Sequence, residues 1–333
     1  MDNYSPIDNP ELKKQFSDLG VISHYGDLSF LSESSSSTSQ STQFLDIPIT
    51  RDEVSYSIRN SKMGKSPGED GIPYEILKKF SGDIIALITD FYNLVIQQGR
   101  VPVDWTIYKV ILIPKPNSNS FRPISISSSY LKILEKIICD RINWFIESRS
   151  AIPKNFYRFR YGKSCQDCFA VLRTDIDISK AKNHYMGIIF VDIKSAFNHV
   201  NLEILLKNLV NIGIFKKIAL FIHNIMIERT LVGYSAGAEI GIVKTNTGCP
   251  QGSVFSLLLF NIYISKLNEA FTHEIKAIGF ADDVNFYASH ENLQTLKEVL
   301  KDNLERFKGW LEMYGIELAI YSYLIQPQLS ILV

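Results

Sequence analysis

Apolar positions along this chain recur with two periods, and the changes of period mark its elements. In SSYLKILEKIICDRINWFIES (128–148), Leu131, Leu134, Ile138, Ile142 and Phe145 return every three or four residues, which predicts an amphipathic helix. ENLQTLKEVLKDNLERFKGWLEMYG (291–315) repeats the pattern through Leu293, Leu296, Leu300, Leu304, Phe307 and Leu311. Further helices are predicted over 50–62 behind a Thr50 cap, over one or two segments of 74–99 that end at Gly99, and over 201–213. A strongly apolar helix is predicted over 253–271, after the turn GCPQG. Unbroken apolar runs predict strands instead. These are WTIYKVILIPKP (105–116), halted by Pro114 and Pro116, and HYMGIIFVDI (184–193), which closes on Asp192.

From residue 185 onward the order is strand, helix, helix, strand pair, helix, strand. That order predicts an α+β fold with helices on one face of a small antiparallel sheet. Residues 32–42, SESSSSTSQST, are too polar to bury surface and read as a linker. Residues 1–43 are therefore expected to be disordered, with the folded region beginning near Phe44. No apolar run reaches bilayer-spanning length, and the N-terminus lacks a signal-peptide pattern. An intracellular protein with no membrane partner is expected.

Composition changes this picture in two places. Hydrophobic residues make up 46% of the 333, enough for a sizeable core. The net charge of zero argues against a polyanionic partner, but its distribution does not: residues 101–180 hold 13 Lys and Arg against 7 Asp and Glu. Of the four cysteines, Cys165 and Cys168 form a lone C-x-x-C without the second pair that zinc requires, so free thiols are expected.

The stretch GFADDVNFYA (279–288) sets Asp282 and Asp283 side by side in an apolar run, where carboxylates are costly to bury. Successive strand residues face opposite ways, so two adjacent aspartates share a side only where the chain turns. A hairpin with 278–280 and 284–286 as its arms is predicted, and Asp192, closing another strand, is placed to join its tip. Two unit charges 4 Å apart repel by ~4 kcal/mol at an effective dielectric near 20, so the cluster needs cations. Mg²⁺, a hard ion that takes oxygen ligands and substrate phosphates, suits it; two such ions roughly 3.5–4 Å apart serve phosphoryl transfer. An isolated Asp-Asp pair is usually a solvated turn, so the neighbouring motifs decide.

With FVDIKSAFNHV (190–200), GCPQGSVFSLLLFNIYI (248–264), GKSPGEDGIPYEILK (64–78), LIPKP and FRPISI (112–126) and FYRFRYGKSCQD (156–167) beside it, the Asp-Asp stretch resembles the reverse transcriptases of non-LTR (LINE-type) retrotransposons, the jockey-like group in particular. FADD (280–283) matches the family's catalytic hairpin, and FVDIKSAFNHV (190–200) matches the strand bearing its first catalytic aspartate. GCPQGSVFSLLLFNIYI (248–264) matches its PQG turn and helix. GKSPGEDGIPYEILK (64–78) and LIPKP with FRPISI (112–126) match the fingers motifs, and FYRFRYGKSCQD (156–167) matches the FGFRxGxST stretch. The resemblance covers roughly residues 50–315, in the family's order and spacing. It implies an RNA-directed DNA polymerase domain of a retrotransposon, adding dNTPs to a primer 3′ end by two-metal phosphoryl transfer. The implied partners are an RNA template, a DNA primer, dNTPs and two Mg²⁺ ions, with Mn²⁺ as the alternative; the nucleus fits as the compartment. The implied architecture is a right-hand polymerase. Fingers with the start of the palm occupy 44–184, a ferredoxin-like palm with the catalytic motifs occupies 185–325, and 326–333 is a truncated tail without a thumb. The alternative is a truncated, inactive relic that keeps only nucleic-acid binding. A viral RNA-dependent RNA polymerase is opposed by Ala281 before the Asp pair and by Phe197.

By the same resemblance, Asp192 and Asp282 are the main metal ligands and Asp283 a supporting carboxylate. Phe197 stands at the family's steric gate, which selects deoxyribose. The turn amides from Ile193 onward, with Lys115 and Arg122, are expected to hold the triphosphate. Gln251 is expected near the nucleotide or template, and Gly252 to let backbone approach a ligand. PKNFYRFRYGK (153–163) sets Lys154, Arg158, Arg160 and Lys163 among four aromatics without an acid, the ingredients of single-strand binding. The chain departs from the family at Asn198 (usually Asp), Leu257 (usually Pro) and Cys165 (usually Thr), and it lacks the family's lysine after Gly315.

Overall fold

A computed structural model of the chain describes residues 9–23, 43–116, 119–158, 160–194, 196–214, 217–280 and 283–326. In chain order the helices are α1 (Pro10–Ser17), α2 (Gln43–Asp46), α3 (Arg51–Arg59), α4 (Tyr74–Leu77), α5 (Gly82–Gln98) and α6 (Ser129–Arg149). They continue with α7 (Cys165–Ala181), α8 (Leu202–Asn211), α9 (Lys217–Met226), α10 (Val254–Tyr263) and α11 (Leu293–Met313). The strands are β1 (Ile107–Pro114), β2 (Phe121–Ile126), β3 (Tyr185–Lys194), β4 (Arg229–Ser235), β5 (Ala238–Thr245), β6 (Lys276–Phe280), β7 (Asp283–His290) and β8 (Glu317–Gln326). Local chemistry sets many of the ends. Thr50 and Glu53 form a capping box at α3, and Gly99 closes α5 in the left-handed conformation. Ser164 and Asp167 form a second box at α7. No helix among the described residues is long and apolar enough to cross a membrane.

The chain divides into two units, Met1–Phe145 with Asn201–Ser256, and Ile146–Val200 with Leu257–Val333. Both are discontinuous in sequence, so neither coincides with the spans 44–184 and 185–325.

The first unit holds a mixed sheet, β2-β1-β4-β5, in which β1 runs antiparallel to β2 and parallel to β4. Tyr108, Val110 and Leu112 alternate into the core from β1. Pro123 sits within β2, where an edge strand tolerates its missing N–H. Residues 9–23 belong to this unit and correct the expectation that 1–43 is disordered. Leu12 and Phe16 of α1 are buried, the Gln15 side chain accepts from the Phe121 N–H at 3.0 Å, and Asn246 pairs with both backbone groups of Ser23. Only two apolar side chains anchor the helix, too few to show as a period. Arg141 of α6 grips Glu53 through two hydrogen bonds of 2.8 Å and reaches the carbonyls of Ile47 and Pro48.

The second unit holds an antiparallel sheet, β6-β7-β3-β8, as the sequence predicts. Its two faces are covered differently. Ile189, Val191, Val284 and Phe286 form one face and are buried under α11, with the Phe286 ring 5.8 Å from Phe307. Ile188, Ile278 and Tyr287 form the other and pack with Ile176, Leu172 and Cys168 of α7. Helices therefore lie on both faces, not on one, because both registers of β3 are apolar at its start. The α7 cover stops short. Further along the same face, Phe190 is 38% exposed and Asp192 is exposed.

Candidate active site

Strand register builds the exposed end of that sheet. Asp192 lies directly opposite Asp283, and Phe280 lies opposite Asp283 on the other side of β7. Directly opposed antiparallel residues share a face, with Cα atoms about 4.5–5.5 Å apart. Asp192 and Asp283 thus stand side by side, both exposed, on the face that α7 leaves open. Asp282 lies outside the described residues, and among the described residues no group of three or more His, Cys, Asp or Glu could hold a metal. The pairing of β3 with β8 shifts register between Asp192 and Ile193.

Ile193 departs from expectation. It and Lys194 continue β3, paired with Leu318 and Glu317 of β8, and the Ile193 side chain is buried. They form strand, not turn. A 3-10 turn, Ala196–His199, follows and carries Phe197, which is half-buried with its ring 4.8 Å from Phe260.

The basic stretch 153–163 docks on the edge of β6. The Tyr157 N–H donates to the Gly279 carbonyl, and the Gly279 N–H donates to the Asn155 carbonyl, both at 3.0 Å. The Phe156 ring fills the space where a Cβ at Gly279 would come within 2.7 Å, so the glycine of GFADD is needed for this packing. The four cations then separate. Arg158 is exposed, with its guanidinium 5.0 Å over the Phe280 ring, and Phe280 is opposite Asp283, so Arg158 stands at the carboxylate end. Lys154 is exposed. Lys163 lies over the Tyr157 ring at 4.7 Å and donates to the Lys154 carbonyl at 2.7 Å. Arg160 is buried. It donates to both Glu147 oxygens at 2.7 and 2.8 Å and to the carbonyls of Pro153 and Phe156. Its hydrogen bonds hold Glu147 below the usual carboxylate range. Arg160 is a structural residue and leaves the nucleic-acid-binding set.

In the first unit, Lys115 and Arg122 are exposed at the end of the β1–β2 hairpin, closed by a hydrogen bond from the Lys115 N–H to the Ser120 carbonyl at 2.9 Å. Gln251 is half-buried, and its carbonyl accepts from the Ser125 N–H at 2.6 Å. Gly252 has φ +113°, and a Cβ there would lie 2.6 Å from the Ser125 carbonyl oxygen. A close approach that needs glycine is the one to Ser125 of β2 in the same chain.

A family signature described as "Reverse transcriptase (RNA-dependent DNA polymerase)" matches residues 113–320. The chain belongs to the reverse transcriptase family. This reverse transcriptase is 25% identical over 281 residues to the probable RNA-directed DNA polymerase from transposon BS of Drosophila melanogaster, covering 80% of this chain and 31% of that protein. It is 24% identical over 285 residues to the RNA-directed DNA polymerase from mobile element jockey of the same organism, covering 81% and 31%. The chain thus spans about 31% of the length of these curated relatives. Among solved structures, a telomerase from Candida tropicalis in complex with the TWJ fragment of telomeric RNA superposes with a TM-score of 0.51 at 16% identity, over 74% of this chain and 45% of that one. That likeness is one of fold.

Two residues of this reverse transcriptase escape the motif reading. Glu135 of α6 and Arg229 of β4 are buried against the loop that carries Gln251. Glu135 was visible as a charge on the apolar stripe between Leu131 and Ile138. Arg229 had no comparable signal.

Proposed function

We propose that this chain is the RNA-directed DNA polymerase domain of a jockey-like, non-LTR retrotransposon protein, extending a DNA primer on an RNA template with dNTPs. The observation that carries the reading is the register pair Asp192–Asp283 on the open end of an antiparallel sheet. Two exposed carboxylates on one face offer oxygen donors alone, a set that fits hard divalent cations such as Mg²⁺ and not soft ones. Asp192 and Asp282 would be the main ligands and Asp283 the supporting one. When bound, such ions activate the attacking 3′-hydroxyl and neutralise the leaving pyrophosphate. Phe197 would lie under the sugar and exclude a 2′-hydroxyl by contact. Lys115 and Arg122 would receive phosphate charge, Arg122 through its planar fork. Lys154, Arg158 and Lys163 would hold the nucleic-acid backbone. We assign the antiparallel sheet of the second unit to the palm and the β1–β2 hairpin to the fingers.

Primer extension tests this directly. The full chain, an RNA template with an annealed DNA primer, dNTPs and Mg²⁺ or Mn²⁺ should yield extended primer, and Asp192→Asn should yield none. Absence of extension by the wild-type chain with either ion, under conditions where it binds the template–primer, sinks the reading.

A further inference from the structure

The loop 247–253 is held at successive points by buried groups. Arg229 donates to the carbonyls of Thr247 and Gly248, the latter at 2.8 Å. The Ser256 hydroxyl donates to the Pro250 carbonyl, and the Ser125 N–H to that of Gln251. Glu135, 0% exposed, then accepts from the Ser253 hydroxyl at 2.9 Å and from the Val254 N–H at 3.2 Å. Val254 is the first residue of α10, and Ser253 already caps that helix by accepting from the Phe255 N–H at 3.1 Å. A helix start with a local serine cap does not require a second, charged acceptor from another helix. A carboxylate brought there from α6 is costly to bury and fixes both the loop end and the helix start to α6.

We propose that Glu135 is a positioning residue of the polymerase: it locks the loop 247–253 so that Gln251 is presented to the incoming nucleotide. The nucleotide part of this statement rests on the polymerase reading above together with the expectation, from the family resemblance, that Gln251 lies near the nucleotide or template; the locking part does not. Glu135 acts through the loop, since both of its oxygens are taken by Ser253 and Val254. Its electrostatic surroundings are mixed. Lys132 on the same helix favours its charge, while Tyr74 of α4, Tyr108 of β1 and Cys139 of α6 have their own ionisation opposed by it. Burial outweighs the hydrogen bonds and pushes Glu135 up to about 7, so the neutral form is well populated in the folded chain. A neutral isostere therefore keeps the lock, and truncation opens it.

Hydrogen exchange on the full chain, read at the amides of Val254 and Phe255, tests the lock. Glu135→Ala should speed exchange there by roughly 10–100-fold, the loss expected for hydrogen bonds to a buried carboxyl. Glu135→Gln should restore most of the protection. In primer extension, Glu135→Ala should raise KM for dNTP by about tenfold or more with a smaller change in kcat, and Glu135→Gln should bring KM back. Wild-type exchange rates in Glu135→Ala overturn the proposal, and so does an opened loop with unchanged KM. If Glu135→Ala fails to fold, Ser253→Ala removes one of the two donors and is read at Val254 alone, because it also removes the acceptor of the Phe255 N–H. A wild-type chain that extends no primer sinks the polymerase reading, whereas the exchange of Val254 and Phe255 still decides whether Glu135 sets the loop.

Discussion

Glu135 and the pair Asp192–Asp283 are carboxylates in opposite surroundings. Asp192 and Asp283 stand in water on the uncovered end of a sheet face, next to each other by register. Glu135 is sealed between a helix and a loop, with each oxygen taken by a donor of its own chain. The exposed pair meets little desolvation, and two like charges at neighbouring register positions repel each other. The buried one meets a large desolvation term, only partly offset by its two donors, and is sealed from any outside ligand. A carboxylate proposed to take a metal and one that shapes the backbone are therefore separable by their burial and by the donors around them.

The largest effect that would break this comparison is at Asp192. Asp192→Asn should lower kcat for primer extension by at least about 10²–10³-fold, the scale of losing one preorganised electrostatic partner of a transition state. Because the side chain is exposed and the change removes repulsion, the melting temperature should hold or rise slightly. A clear loss of stability would show that Asp192 serves the fold in the way Glu135 does.

Arg160 and Arg158 extend the same contrast to cations. Arg160→Ala leaves Glu147 and two carbonyls without their donor and should destabilise the chain by about 2–4 kcal/mol in urea unfolding. Arg158→Ala should leave stability nearly unchanged and instead reduce the slope of log affinity against log salt, for a single-stranded oligonucleotide, by about 0.7–1. An Arg160→Ala chain of wild-type stability with a reduced salt slope would return Arg160 to the binding set.

Glu135 also makes a signed prediction about pH. Its folded pKa of about 7 lies above the ordinary 4.5, so the folded chain binds the proton more tightly than the unfolded one. Its contribution to stability is full below about pH 4.5 and is lost as pH rises through about 7, by up to about 3 kcal/mol. Wild type should therefore lose stability relative to Glu135→Gln between about pH 5 and 8. Parallel stability curves for the two chains would mean that the carboxyl is not desolvated as its burial implies.

The long helices and β3 were legible because their periods run through many residues and their caps are explicit. The β4–β5 hairpin was not. Ala236 and Gly237 both take positive φ, 49° and 85°, the geometry of a two-residue hairpin turn that Asn-Gly or Asp-Gly would have announced; alanine hides it. At the site, the convergence of Asp192 with the Asp-Asp stretch was legible from the motif constellation, but the partner seen across the strands is Asp283, a matter of register that no single strand encodes. Arg160 was misread because its acid, Glu147, lies just outside the basic window and is brought back by the turn at 150–153. The contact of Gly252 with β2 was not legible, because the sequence does not reveal that Ser125 lies against it.

Phe197 is the smallest and finest test, since its ring belongs to both kinds of surroundings at once. One part packs on Phe260 at 4.8 Å, and the half-buried remainder is accessible. Phe197→Ala removes a steric contact without removing a charge, so it should alter a ratio and not abolish a reaction. Competition between dNTP and rNTP on the same template should show discrimination reduced by roughly tenfold, the scale of a single apolar contact in a pocket. The same change should destabilise the chain by about 1–2 kcal/mol, less than a fully buried phenylalanine would, because part of the ring's surface is already wet. Full-scale destabilisation with unchanged sugar discrimination would assign the ring to the core alone, and the open end of the sheet would then lack a sugar gate at this position.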